Sequence, residues 1–203
     1  MDTKRDILQF EVTLADVAPR VWRRIEVPAS YSFWDLHVAV QDAMGWQDYH
    51  LHLFRVLNPD SATVDEIGIP DPDGFVDDPA CLSGWRVKIA PYFEAPGTRA
   101  EYAYDFGDGW EHEVRLVSIA AREPRTKYPR CVAGERACPP EDCGGPDGYA
   151  QLLKVLKNPR HKEHREMLEW IGGPFDASAF DPRGVHFDNP KKRWRIAFGG
   201  RDG

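Results

Sequence analysis

Apolar and polar residues alternate along five short stretches of the chain, and a period of two is typical of β-strands. Residues 8–14 and 21–27 form the first pair of such stretches, and residues 102–106 and 110–116 form the second. A turn-forming sequence separates the members of each pair, so each pair predicts a β-hairpin. Residues 50–57 predict one further strand.

Helical spacing of apolar residues replaces this alternation after the first hairpin. Ser32 stands three residues before Asp35, which resembles a capping box, and apolar residues then recur at helical intervals until Gly45. The pattern therefore predicts a helix over residues 33–44. Apolar residues at 149–156 and 167–171 predict two shorter helices in the C-terminal part.

These elements predict an α+β fold, with a mixed or antiparallel sheet of about five strands built from two hairpins and a central strand. We expect the first helix to pack on this sheet, with Leu36 and Val40 near the centre of the contact. The length of the chain suits one domain over residues 1–203. Residues 1–120 would form a sheet-rich core, and residues 121–203 a Cys/Pro/Gly loop, helices and an irregular tail.

Two further segments carry weaker patterns. Residues 58–79 are mostly Asp, Pro and Gly, which indicates an exposed loop. Ser83 could cap a short helix that runs to about Phe93. No regular element is predicted after Gly172.

Charge and terminal sequence limit the classes of function. Lys and Arg number 26 against 33 Asp and Glu, and this acidic balance argues against broad adhesion to nucleic acid or anionic membrane. The N-terminus has no signal-peptide pattern, and no apolar run of about twenty residues could span a membrane. We therefore expect a cytoplasmic protein whose cysteines are reduced thiols or metal ligands.

Three cysteines in a Gly- and Pro-rich segment are candidate metal ligands. Cys131, Cys138 and Cys143 have the spacing C-x6-C-x4-C, and thiolates bind zinc strongly. A fourth ligand would have to come from Cys81, His112 or a histidine of the 50–57 strand. The alternative is that the three thiols are structural and pack beneath the loop.

Histidines and aspartates suggest a second kind of site. His50 and His52, two apart in a predicted strand, would share a face with His112 of a neighbouring strand and could bind one metal ion. Asp105 and Asp108 could supply acid–base or divalent-cation chemistry beside His112. Alternatively, the histidines hydrogen-bond at the sheet face and the aspartates stabilise a tight turn.

Two other features have weaker functional interpretations. Residues 191–195, KKRWR, could contact nucleic acid with Trp194 stacking on a base, or could be a solvated basic tail. Residues 144–148, GGPDG, precede a helix and could receive a phosphate, although Asp147 as a helix N-cap explains them adequately.

Three stretches of the sequence resemble the plasmid pRiA4b ORF-3-like family. They are 22–54 (WRRIEVPASYSFWDLHVAVQDAMGWQDYHLHLF), 102–114 (YAYDFGDGWEHEV) and 128–153 (YPRCVAGERACPPEDCGGPDGYAQLL). The resemblance implies a compact α+β fold with a mixed sheet and no established biochemical activity. Some members carry a transposon-resolvase (TnpR) label, but the sequence shows neither a recognisable nucleophile with a cationic active site nor a basic helix-turn-helix.

Two functions from different classes follow. The first is an accessory or interaction protein associated with plasmids or mobile elements, which would bind another protein or, with weaker support, nucleic acid. The alternative is a metal-dependent hydrolase or nuclease that uses His50, His52, Asp105, Asp108 and His112, with the cysteines structural.

Overall fold

The computed structural model describes residues 1–70 and 81–199, and within them one sheet of eight strands forms the centre of the fold. The strands are β1 (Asp6–Leu14), β2 (Trp22–Pro28), β3 (His52–Leu57), β4 (Val64–Gly68), β5 (Leu82–Ser83), β6 (Arg99–Tyr104), β7 (Trp110–Ala121) and β8 (Arg130–Glu135). Their order across the sheet is β5-β4-β3-β6-β7-β1-β2-β8. The β4–β5 pair is parallel and the other pairs are antiparallel, so the sheet is mixed.

Four α-helices accompany the sheet in the described part of the chain. They are α1 (Phe33–Met44), α2 (Gly145–Lys157), α3 (His164–Trp170) and α4 (Pro190–Phe198), with a single 3-10 turn at Pro182–Gly184. Among residues 1–70 and 81–199, none of the helices has the length and apolar character needed to cross a membrane.

The α+β class and both predicted hairpins are confirmed, but the sheet is wider than about five strands. Strand β4 lies within the predicted loop 58–79, of which residues 71–79 fall outside the described residues. Residues 82–83 form a strand and 84–93 form turns, so the helix predicted from Ser83 was wrong. Strand β8 extends the sheet past residue 120 by pairing with β2. The missed strands have two to six residues and do not alternate between buried and exposed positions, so a period of two is absent from their sequences.

Helix α1 begins and ends where the sequence predicted. The Ser32 hydroxyl accepts a hydrogen bond from the Asp35 N–H (3.2 Å), and the Asp35 carboxylate accepts one from the Ser32 N–H (2.8 Å). Gly45 ends the helix at φ 93°, a conformation that glycine adopts without strain. Leu36 and Val40 are fully buried, and α1 packs against β2.

Helix α4 shows that the prediction of an irregular tail was wrong. The Asn189 side chain accepts hydrogen bonds from the N–H groups of the first turn, and Pro190 occupies its first position. Gly199 ends the helix in the left-handed region at φ 67°.

Two residues of the basic run 191–195, Arg193 and Trp194, are engaged within the protein, and the other three are exposed. Arg193 binds Asp42 (2.7 Å) and Asp188 (2.6 Å) through one guanidinium nitrogen. Trp194 packs edge-on against Trp34, with ring centroids 5.2 Å apart. An indole held in this way is poorly placed to stack on a nucleic-acid base.

The face of the sheet that points away from α1 carries a cross-strand cluster of charges. Glu11 of β1 lies between Arg24 of β2 and Arg115 of β7, which are its direct partners in the sheet. It forms ion pairs with both of them and with Arg20. The hydrogen bonds from these guanidinium groups outweigh the effect of burial and lower the pKa of Glu11 to about 2.

Candidate functional site

His50 and His52, predicted to share one face of a strand, lie in different environments. Strand β3 begins at His52, and the preceding residues 46–51 are irregular. The alternation argument requires both residues to be inside the strand, so it fails for His50. His52 is buried in the core, whereas His50 lies near Asp105 and Asp142 at the surface.

His52 and His112 belong to the core and do not join His50. The His52 ring stacks on His37 with centroids 3.5 Å apart and planes 10° from parallel. His112 donates a hydrogen bond from Nδ1 to the Tyr102 carbonyl oxygen (3.1 Å). Burial lowers the pKa of His52 well below its ordinary value and that of His112 to about 4, so both rings are neutral at neutral pH.

A buried hydrogen-bond chain that the sequence analysis missed runs through His37. Gln41 donates to the Tyr102 hydroxyl (2.8 Å), which lies 2.8 Å from His37 Nδ1. His37 Nε2 lies 2.8 Å from the Asp48 carboxylate, so the consistent assignment has the Tyr102 hydroxyl donating to Nδ1 and the Nε2–H donating to Asp48. Burial raises the pKa of Asp48 to about 6.

This chain is a poor metal site even though His37, Asp48 and His52 place ligand atoms within 4.8 Å of one another. Both ring nitrogens of His37 are already hydrogen-bonded. A metal ion binds in the plane of an imidazole ring, and it cannot lie in the planes of two rings that are stacked face to face. This hydrogen-bond chain instead fixes the position of Asp48, two residues before His50.

His50, Asp105 and Asp142 form the more exposed cluster. His50 Nε2 lies 3.5 Å from Asp105 Oδ2 and 3.2 Å from Asp142 Oδ1. The Nε2 atom is shielded from solvent, yet neither oxygen has the geometry of a hydrogen bond with it. The three ligand atoms lie within 4.8 Å of one another, and no cysteine takes part.

Asp105 is held rigidly at the start of the turn between β6 and β7. Its backbone is left-handed at φ 53°, and its Oδ1 atom accepts hydrogen bonds from the N–H groups of Gly107 (3.1 Å) and Asp108 (3.3 Å). The side chain is about nine-tenths buried, and its second oxygen, Oδ2, faces His50. Asp105 therefore stabilises the turn through Oδ1 and contributes Oδ2 to the candidate site, so both interpretations of this residue apply.

Asp108 does not face this cluster. Its Oδ2 atom accepts a hydrogen bond from the N–H of Gly144 (3.1 Å), which joins the β6–β7 turn to the start of α2. Gly144 is the N-cap of that helix and supplies no side chain, so the assignment of Asp147 as the cap was wrong.

The distances from His50 Nε2 to the two carboxylate oxygens match those between neighbouring ligands of one metal ion. Metal–nitrogen and metal–oxygen bonds of about 2.1 Å at angles near 90–110° place neighbouring ligand atoms roughly 3.0–3.5 Å apart. The two distances from His50 Nε2 fall in this range. One imidazole and two carboxylates suit Mn²⁺, Fe²⁺ or Zn²⁺, and two carboxylates balance the charge of a divalent ion.

Cys131 lies in β8, and Cys138 and Cys143 lie in the loop between β8 and α2. The Cys131 thiol donates to the Ala133 carbonyl oxygen (3.4 Å), and burial raises the pKa of Cys131, of Cys138 and, to about 12, of Cys143. Within the described residues, the groups of three His, Cys, Asp or Glu ligand atoms lying within 4.8 Å of one another contain no cysteine. The zinc site on these thiols stays a prediction.

Two grooves meet near His50. The larger, of about 600 Å³, runs between residues 47–51 and α4 and is lined by His50, Leu51 and Lys192, among others. The smaller, of about 500 Å³, is lined by Asp142 and Trp170. Apolar side chains next to the cluster face solvent: Tyr49 is 72% exposed, Leu51 56% and Phe106 58%.

Comparison with known proteins identifies the family to which the chain belongs. The family described as plasmid pRiA4b ORF-3-like protein matches residues 6–184, so α4 lies beyond the matched range. The uncharacterized protein y4hQ of Sinorhizobium fredii (strain NBRC 101917 / NGR234) is 34% identical over 92% of this chain and 89% of its own length. The crystal structure of MM3350, a protein of unknown function from Methanosarcina mazei Go1, is 40% identical with a TM-score of 0.82, covering 90% of this chain and 99% of that one. The chain belongs to the plasmid pRiA4b ORF-3-like family.

Proposed function

We propose that the protein binds a divalent transition-metal ion through His50, Asp105 and Asp142 and uses it for hydrolysis. The observation that carries the proposal is the shielded His50 Nε2 atom, which faces two carboxylate oxygens at 3.2 and 3.5 Å without a hydrogen bond to either. A shielded imidazole nitrogen that lies close to two carboxylate oxygens without a hydrogen bond to either is an arrangement that a metal ion would complete.

Three protein ligands leave further coordination positions for water and substrate. A bound divalent ion lowers the pKa of its water toward about 7, so that hydroxide is available at neutral pH. An ion held by His50, Asp105 and Asp142 would supply such a hydroxide for attack on the electrophilic atom of an ester, with cleavage of the ester bond to the leaving oxygen. The proton of the water passes to solvent, and the leaving alkoxide takes a proton from solvent.

The surroundings favour a small anionic ester over nucleic acid. The groove that His50 lines contains apolar side chains and the exposed cation Lys192, which suits a substrate with an apolar body and one negative group. Nucleic acid is less suited, because the neighbouring Arg193 is ion-paired and Trp194 is packed. The net charge of −7 also repels a polyanion.

Metal titration of chelator-treated protein tests the site. We expect about one equivalent of Mn²⁺ or Zn²⁺ to bind, measured by calorimetry, and His50→Ala and Asp142→Asn to weaken binding at least about tenfold. His186→Ala changes an exposed histidine outside the cluster and should bind metal normally. Equal affinity of His50→Ala and the unsubstituted protein would rule out this site.

Hydrolysis is tested separately with p-nitrophenyl phosphate and p-nitrophenyl acetate. The metal-loaded protein should release p-nitrophenol, and Asp105→Asn, which leaves the turn acceptor in place but removes the anionic ligand, should not. Metal binding without turnover of either ester would remove support for hydrolysis of such esters and leave a metal-binding protein.

The exposed apolar residues support a second candidate, an accessory protein of plasmids or mobile elements that binds a protein partner. Tyr49, Leu51 and Phe106 are all exposed. One exposed apolar residue would need no explanation, but several beside one site suggest a surface that binds a partner. The link to mobile elements rests on the family's name. Nuclease-treated pull-downs from the host should recover one partner with the native protein and lose it with Leu51→Ser plus Phe106→Ser. Equal recovery with both proteins would exclude this surface.

A further inference from the structure

The three residues that immediately precede the candidate ligands are joined by hydrogen bonds. Tyr49, Tyr104 and Glu141 stand directly before His50, Asp105 and Asp142 in the sequence. The Tyr104 hydroxyl donates to Glu141 Oε1 (2.6 Å) and accepts from the N–H of Tyr49 (3.1 Å). Glu141 Oε1 also accepts from the N–H of Gln47 (3.1 Å). We call Tyr104 and Glu141, with these bonds, the clamp.

The clamp joins three segments that are distant in sequence. One ligand lies in the irregular stretch between α1 and β3, one in the turn after β6, and one in the loop between β8 and α2. Consecutive Cα atoms are only about 3.8 Å apart, so fixing the preceding residue restricts where each ligand can lie.

Tyr104 is the fixed point of this arrangement. It is fully buried, it pairs with His52 and Trp110 in the sheet, and its ring stacks on Trp46 with centroids 5.1 Å apart. Its hydroxyl donates to the Glu141 carboxylate, and this hydrogen bond ties the loop that carries Glu141 to the sheet. Glu141, by contrast, lies in a loop and depends on the sheet for its position.

We propose that Tyr104 and Glu141 are positioning residues of the metal centre, which hold His50, Asp105 and Asp142 at metal-binding separation. The inference rests on the proposed metal site and adds that two residues outside the ligand set determine its affinity. Groups that orient metal ligands typically contribute about 10–100-fold to affinity. The clamp joins the three segments before any ion binds. The entropy cost of ordering them therefore does not reduce the binding free energy of the ion.

Three substitutions separate the clamp from general stability. Tyr104→Phe removes the hydroxyl and should weaken Mn²⁺ binding about 10–100-fold by calorimetry, and Glu141→Ala should do the same. Glu141→Gln keeps an oxygen that accepts both hydrogen bonds and should restore affinity to within about threefold. The visible spectrum of bound Co²⁺ should change in Tyr104→Phe and Glu141→Ala and return in Glu141→Gln, because it reports the ligand geometry.

Tyr92→Phe is the matched control. Its hydroxyl donates to the Asp65 carboxylate over the same distance, 2.6 Å, but neither residue precedes a candidate ligand. It should lower the urea midpoint as Tyr104→Phe does and leave metal affinity unchanged. A folded Tyr104→Phe protein that binds Mn²⁺ as tightly as the unsubstituted one would overturn the clamp alone. Failure of the unsubstituted protein to bind any tested metal would overturn both the clamp and the metal site.

Discussion

Glu11→Gln tests the charge cluster on the outer side of the sheet, because it removes the negative charge and keeps the shape of the side chain. Glu11 pairs with Arg20, Arg24 and Arg115, and its pKa falls from 4.5 to about 2. That depression corresponds to at most about 3 kcal/mol of folding free energy at neutral pH. The arginine side chains are 49%, 33% and 35% exposed, so solvent screening should reduce this to roughly 1–2 kcal/mol.

The pH dependence has a definite sign. A carboxyl group whose pKa is lowered on folding stabilises the protein fully above its unfolded pKa, and the contribution is lost as pH falls through the folded pKa. The cost of Glu11→Gln should therefore be full at pH 7 and shrink between about pH 4.5 and pH 2. Urea unfolding of both proteins at pH 7 and near pH 3 measures the difference. Glu113→Gln, which breaks the exposed Arg99 pair, should cost under about 1 kcal/mol. An equal cost of Glu11→Gln at both pH values would refute the reasoning.

Three further changes test the core, a close contact and the cysteine segment. Leu36→Ala, at a fully buried position of α1, should lower the unfolding free energy by roughly 2–5 kcal/mol, and a near-neutral urea midpoint would contradict the packing described. Gly145→Ala should destabilise the protein more than Gly97→Ala. Both positions have positive φ, but only the Cβ added at residue 145 would clash with a neighbour, the Asp108 carbonyl oxygen at 2.2 Å. The thiols of segment 129–148 should react slowly with a thiol reagent in the folded protein whether or not a strong chelator is present, since burial raises their pKa; faster reaction after chelation would instead indicate bound zinc.

The elements that sequence predicted well are those in which local signals agree with tertiary burial. The two hairpins combine alternation with turn residues, and α1 combines a capping box with a terminal glycine. Strand β8 lacks these signals, because its residues are almost uniformly half-buried and β2 alone pairs with it. The signals of α4 were present in the sequence as Asn189, Pro190 and Gly199, but its weak apolar periodicity concealed them.

The candidate site was only partly predictable. His50 and Asp105 were identified from residue type. Alternation, however, grouped His50 with His52 and His112, and those two histidines are buried in the core. Asp142 was missed because it lies in a loop about forty residues after Asp105. Only the tertiary structure brings it close to His50. No local pattern in a single sequence records such a contact.

The position of β1 in the middle of the sheet has a consequence for folding during synthesis. Its neighbours are β2, which follows it directly, and β7, which lies about a hundred residues later. Closing so long a loop costs conformational entropy before the pairing stabilises anything, so sheet assembly should be slow compared with helix formation. On the ribosome, the β1–β2 hairpin emerges long before β7 and β8, so both of its hydrogen-bonding edges stay open throughout that interval. The nascent chain is therefore most exposed to strand-mediated misassociation before residue 135 leaves the exit tunnel.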